Sequence, residues 1–170
     1  MRIERLRLLT LAALMAALIT ALTMFIKLPF PMTSEGYVHF GDGMVYIAAC
    51  LLPAPYAVAA AVIGCGLADA LPGLFGWLPA TLLIKACMAL LFSSRQKKLL
   101  ARRNILVLLP ACAVNIAGYY LYEGFVYSQW AALVSVFGNV IQSGISVAMF
   151  LLLAAALDRL KVKNNLLKWD

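Results

Sequence analysis

The chain is a succession of long apolar runs, broken at a few points by Pro, Gly and clustered charge. The first run, residues 8–26, is uncharged. As a helix it would be about 28 Å long, enough to cross the hydrocarbon core of a bilayer. A second uncharged run, residues 43–68, is interrupted by Pro53-Ala54-Pro55. Two prolines this close remove backbone donors and push the residues before them out of helical geometry. The pattern therefore predicts a tight hairpin of two short helices, roughly 40–52 and 56–71. Each arm needs tilt or local bilayer thinning to cross. Runs at 77–92, 104–122 and 129–157 bring the total to six predicted transmembrane helices, the last beginning near the interface at Trp130. Neither an internal repeat nor a low-complexity linker divides the chain, so residues 1–170 are expected to form a single transmembrane domain in an all-α fold.

The positions of the charges orient these helices. The chain is 65% hydrophobic and 12% charged, far from the balance of a soluble domain. Of its fourteen Lys and Arg, twelve fall in three clusters: Arg2, Arg5 and Arg7; Arg95, Lys97, Lys98, Arg102 and Arg103; Arg159, Lys161, Lys163 and Lys168. Short loops rich in Lys and Arg stay cytoplasmic, so an even number of spans must separate each pair of clusters. Reading 43–68 as one helix would give three spans between the first two clusters, and the proline hairpin restores an even count. Both termini and the Pro53-Ala54-Pro55 turn are therefore expected in the cytoplasm. The net charge of +7 sits beside apolar spans and points to anionic lipid rather than nucleic acid. The apolar region of residues 1–26 is too long for a signal peptide and reads as a retained first span. Cys50, Cys65, Cys87 and Cys112 lie in apolar segments without a C-x-x-C pair, which favours small core residues over disulfides or metal ligands.

Catalytic signatures are missing. The sequence has no G-x-x-x-x-G-K-[ST], no H-E-x-x-H and no G-x-S-x-G, so it offers neither ATP hydrolysis by a phosphate-cradling loop nor these hydrolytic chemistries. His39-x-x-Asp42 could hold a metal or act as an acid–base pair. A histidine at a membrane interface is more often a hydrogen-bonded cap, and Asp42 suits a helix N-terminus. The expectation is a protein that is not an enzyme and holds neither metal nor cofactor.

Binding has better support. Ionisable and amide groups at membrane depth are costly and usually line a cavity. Here they gather toward the outer half: Asp69, Trp77 and Lys85 around the third and fourth helices; Asn115, Tyr119 and Glu123 on one face of the fifth; Asn139 and Gln142 on one face of the sixth. With His39 these are the candidate substrate-binding residues. Amides donate and accept, while Trp77, Tyr119 and Tyr122 offer ring faces, a combination suited to a small heteroaromatic solute. The competing roles are an interfacial aromatic belt, the better reading for Tyr127 and Trp130, and amide bonding between helices. Lys85 could hold a carboxylate, as in pantothenate, unless Asp69 neutralises it, and an internal pair with Asp69 is the favoured expectation. Asp69, Lys85 and Glu123 could also form an ion relay, as a self-sufficient secondary transporter or small channel would need.

Small residues mark helix contacts. Ala60, Gly64 and Ala68 recur every four positions in the third helix, as expected of close internal packing. In the first helix Ala12, Ala13, Ala16, Ala17 and Ala21 cover a wider face, which leaves room for an external partner.

The stretches YVHFGDGMVYIAACLLPAPYAVAAAVIGCGLADAL and WLPATLLIKACMALL, followed by GNVIQ in the last helix, resemble the membrane-embedded substrate-binding (S) components of bacterial energy-coupling factor (ECF) vitamin transporters. The nearest branch is the riboflavin-transporter-like one, and the likeness extends over nearly the whole chain. It implies a multi-pass subunit of the bacterial cytoplasmic membrane that captures a vitamin and works with a transmembrane coupling (T) subunit and two ATPase subunits. It also implies that Ala12, Ala13, Ala16 and Ala17 form the docking surface for that partner, and that residues 32–38 form a lid over the ligand.

Overall fold

The computed structural model describes residues 2–29 and 37–166. Its elements follow the apolar runs closely: α1 (Arg2–Phe25), α2 (Gly41–Leu51), α3 (Ala54–Ala70), α4 (Leu78–Leu91), α5 (Arg102–Leu106), α6 (Leu108–Val126), α7 (Gln129–Arg159) and α8 (Val162–Leu166). Two short strands, β1 (Lys27–Pro29) and β2 (Tyr37–His39), pair antiparallel with Lys27 opposite His39. This ribbon of three-residue strands is a small addition to an otherwise helical chain, in keeping with the all-α expectation. It joins α1 to α2 across one end of the bundle and delivers His39 to the start of α2. Of the proposed lid, residues 32–36 lie outside the described residues.

Three helical segments, Ile3–Phe25, Arg102–Val126 and Gln129–Arg159, are long and apolar enough to cross a membrane. The apolar helices α2, α3 and α4 are shorter, at 11, 17 and 14 residues. α2 is the centre of the bundle. Every one of its residues is buried, and it packs against α1, α3, α4 and α7. A helix apolar nearly all round is stable only when surrounded. Around it α1 runs along α3, α3 along α4, and α6 along α7. The outward surface is apolar too: Leu83, Leu109, Leu121, Phe125 and Leu152 are exposed, as suits contact with lipid tails.

The proline hairpin forms where the sequence predicts it. Pro53 is extended (φ −55°, ψ 147°) and Pro55 lies in the first turn of α3, where its missing N–H would have had no helical partner. A proline also explains why the fifth predicted helix is divided. Pro110 cannot bond to the carbonyl four residues earlier and crowds it, and the helix breaks at Val107 between α5 and α6.

Close packing of α1 on α3 depends on Gly64. A Cβ there would lie 2.8 Å from both the Ala16 carbonyl oxygen and Ile19 Cβ. The Thr20 hydroxyl donates to the Gly64 carbonyl at 2.9 Å across the same contact. Ala60 and Ala68 are buried beside it, as expected of internal packing. The alanines of α1 divide between two faces. Ala12 and Ala16 are buried in the core, whereas Ala13 and Ala17 face outward. The cysteines divide as well: Cys50 and Cys65 are buried, Cys112 is half-buried, and Cys87 is exposed on α4 rather than in the core.

At the end of the bundle holding the α2–α3 turn, polar groups tie the connections together. Asn104 accepts from the Ser93 backbone N–H at 3.1 Å and donates to the carbonyls of Ser93 and Leu99, each at 3.2 Å. The Asp158 carboxylate accepts from the backbone N–H groups of Leu99 and Leu100. Lys163, on the short α8 that the apolar pattern does not predict, donates to the Cys50 carbonyl at 2.7 Å. These bonds place the Pro53 turn, the 93–104 segment and the start of the basic tail at one end.

Candidate ligand site

At the opposite end, four helices bring polar side chains to a common point. Asp42 enters on the first turn of α2, between two glycines. A Cβ at Gly41 would lie 1.9 Å from Thr23 Oγ1 of α1, so only glycine allows α2 to start this close to α1. Asp42 therefore reaches the interior without a flanking side chain in the way.

Its carboxylate forms a buried ion pair. Asp42 Oδ1 lies 2.7 Å from Lys85 Nζ of α4, and each side chain is 1% exposed. The other oxygen, Oδ2, accepts from Gln142 Nε2 of α7 at 2.8 Å. Gln142 Nε2 also lies 3.1 Å from His39 Nε2, while His39 Nδ1 accepts from the Gly41 N–H at 3.2 Å. Lys85 donates in turn to Asn115 Oδ1 of α6 at 2.8 Å, and its ammonium lies 5.3 Å from the centroid of the Tyr119 ring. A charge pair withdrawn from water is stable only when further hydrogen bonds complete it. Gln142, Asn115 and the Tyr119 face supply that completion.

Above the pair the site becomes aromatic. The Tyr119 hydroxyl shares a 3.0 Å hydrogen bond with Thr81 of α4. Trp77 lies with its ring centroid 6.4 Å from Tyr119, 6.3 Å from Tyr122 and 5.1 Å from Tyr127. The Tyr122 hydroxyl donates to the Gly76 carbonyl and fixes the α3–α4 connection against α6. Below the pair, Tyr46 of α2 stacks on Phe92 and meets the edge of Phe150, closing the floor with an apolar aromatic group.

Some polar atoms in this region have capacity to spare. Asn115 Nδ2 and Ser146 Oγ are buried without a hydrogen-bond partner among the described residues. The hydroxyls of Tyr46 and Ser143 turn toward the Cys112 sulfur, a weak partner, and make no hydrogen bond of ordinary geometry. Buried polar atoms left open in this way are uncommon and call for a water or a ligand group.

The candidates named from sequence fall into three sets. Lys85, Asn115, Tyr119, Gln142 and His39 come together, with Trp77 over them. Asp69 is buried on α3 and contributes to the electrostatic environment of Tyr119, but Lys85 closes its ion pair on Asp42 instead. The expected Asp69–Lys85 pair is thereby corrected: among the described residues the carboxylate within ion-pair distance of Lys85 is that of Asp42, in the first turn of α2. Glu123 and Asn139 stand apart. Glu123 is buried in the last turn of α6 and turned toward Ser135 of α7, and Asn139 is half-buried on α7. Asp42 is the residue that sequence reasoning underrated, being taken for a helix-terminal charge. The signal was its flanking glycines, which mark close backbone approach around a buried carboxylate. Thr81, Ser143 and Ser146 carried no such signal.

No curated protein matches the chain. A family model described as ECF-type riboflavin transporter, S component, matches residues 5–159. That span takes in all six apolar helices, the buried ion pair and the aromatic group above it. The chain belongs to the family of ECF-type riboflavin transporter S components.

Proposed function

We propose that this chain is the capture subunit of an ECF-type importer of the bacterial cytoplasmic membrane, crossing it six times with both ends inside. Its ligand would be a small water-soluble heteroaromatic vitamin or precursor, such as riboflavin, hydroxymethylpyrimidine or a pyridoxine-like ring. The observation that carries this reading is the convergence of Asp42, Lys85, Asn115 and Gln142 from four helices beneath Trp77 and Tyr119. Rings on one side and an open amide donor, Asn115 Nδ2, on the other suit a flat solute with several hydrogen-bonding atoms. A self-sufficient secondary transporter is less well supported, because Lys85 is committed to Asp42 and Glu123 faces Ser135 instead of extending a relay. A carboxylate vitamin such as pantothenate is disfavoured by the same ion pair.

Uptake would then depend on a T subunit and two ATPase subunits, since the sequence contains no phosphate-cradling loop of its own. Native mass spectrometry of the gently purified protein should show the mass of a bound heteroaromatic vitamin and, in milder extracts, those partner masses. A protein carrying neither, yet transporting alone in vesicles, would overturn the reading. The split alanine face refines the docking expectation. Ala13→Trp should uncouple uptake while the isolated subunit still binds ligand, whereas Ala16→Trp should unfold it, because Ala16 lies against Gly64. Loss of ligand binding in Ala13→Trp would remove the exposed face from the docking role.

A further inference from the structure

We infer that Asp42 sets the charge selectivity of the site: by pairing with Lys85 it leaves that buried ammonium already shared, so an uncharged ring is admitted and an anionic ring of the same shape is refused. The inference rests on reading this end of the bundle as the ligand site. Three features carry it. Lys85 is wholly buried and has each direction of its ammonium occupied, by Asp42 at 2.7 Å, by Asn115 at 2.8 Å and by the Tyr119 ring. Asp42 cannot retreat to free it. The carboxylate is held from the other side by Gln142, and α2 is wedged at its start between α1 and α7. A further acid among the described residues, Asp69 on α3, adds negative rather than positive field. An incoming carboxylate or phosphate would thus meet a carboxylate already on Lys85, and like charges brought together in a low-dielectric interior repel strongly. An uncharged ligand meets the opposite situation. Asn115 Nδ2, buried and without a partner among the described residues, is a neutral donor for a ring carbonyl or ring nitrogen.

The test is isothermal titration of the purified subunit with matched ligands that share a ring and differ in charge: pyridoxine against pyridoxic acid, and riboflavin against its phosphate ester. The wild-type protein should bind the uncharged member of a pair, with the anionic member at least about tenfold weaker. Asp42→Asn leaves Lys85 unshared and should narrow or reverse that ratio. The double variant D42N/K85Q removes both charges and should keep the wild-type order. Because Asp42→Asn leaves a buried cation unpaired and could fail to fold, Asn115→Asp provides a second arm. It keeps Asp42, places a second carboxylate on Lys85 and removes the Nδ2 donor, so overall affinity should fall while the preference for pyridoxamine over pyridoxine rises. A wild-type preference for the anionic member, an unchanged ratio in folded Asp42→Asn, or an unchanged preference in Asn115→Asp would each overturn the inference while leaving the ligand site in place. Failure of the folded wild-type protein to bind any member would overturn the proposed ligand class itself, and this inference with it.

Discussion

The two ends of α2 are built from similar residue types and finished differently. At its C-terminal end the buried and half-buried polar groups close on one another. Asn104 uses both its oxygen and its amide nitrogen, Asp158 uses both oxygens, and Lys163 covers the Cys50 carbonyl. At its N-terminal end Asp42 and Lys85 are equally well buried, yet Asn115 Nδ2 and Ser146 Oγ beside them remain open. An open buried donor destabilises the empty protein by something like the value of a hydrogen bond. Tolerating it makes sense where a ligand will supply the partner, and the closed end has no such reason. Polarity inside the bundle therefore has two meanings, and satisfaction rather than residue type separates them.

The difference can be broken most severely at Asp42. Asp42→Ala strands a buried ammonium and should destabilise the subunit by about 3–5 kcal/mol, besides abolishing ligand binding. Unfolding in detergent measures the first effect and titration the second. A variant as stable as wild type would mean that Lys85 finds water, and that the pair is not dry. Next comes the closed end. Asn104→Ala removes three hydrogen bonds and should cost about 2–4 kcal/mol of stability, with little change in ligand affinity. Comparable losses of affinity at both ends would erase the distinction. The third prediction separates two amides on α7. Gln142→Ala should weaken ligand binding by about 1–3 kcal/mol, and Asn139→Ala by less, because only Gln142 reaches the Asp42 carboxylate. The reverse order would move the ligand toward the outer half of α7.

Much of this was legible in the chain before any coordinates. Apolar run length and Pro53-Ala54-Pro55 are local signals, and they located the six main helices and the hairpin. The first helix, α1, nevertheless starts six residues before the predicted run, and the fifth helix is divided. Asn115 and Tyr119 share a face through ordinary helical spacing, so their meeting with Lys85 was within reach. The choice of partner for Lys85 was not. Asp42 and Asp69 are both acids in apolar surroundings, and which one meets the ammonium depends on how far α2 slides between α1 and α7. That depends on glycine contacts such as Gly41 against Thr23, which involve residues far apart in sequence. The alanine face of α1 was ambiguous for the same reason. Five alanines define a stripe, but only the approach of Gly64 shows that Ala16 belongs to the core and Ala13 does not. The capping of α2 by Lys163 joins residues 113 positions apart and leaves no local trace.

That capping contact gives the smallest of the expected effects. A cation at the C-terminal carbonyls of a helix is favourable, and Lys163 donates there at 2.7 Å. Burial nevertheless disfavours its charged form and holds its pKa below the ordinary lysine value of 10.5, with Cys50 and Asp158 nearby pulling the other way. Between the lowered folded value and 10.5 the unfolded chain binds more protons than the folded one. Stability must therefore rise with pH across that window, and the full cost of burying the charge is present below it. The neutral amine still donates to the Cys50 carbonyl, so the contact itself survives deprotonation. Lys163→Met removes both charge and donor, and should change stability at neutral pH by less than about 1 kcal/mol. Its signature is the loss of the upward slope. The stability difference, wild type minus variant, read from thermal midpoints and followed from neutral pH toward 10.5, should rise as wild type gains stability that the variant does not. Parallel profiles would show that Lys163 titrates as an exposed lysine does, and that α8 does not cover the end of α2.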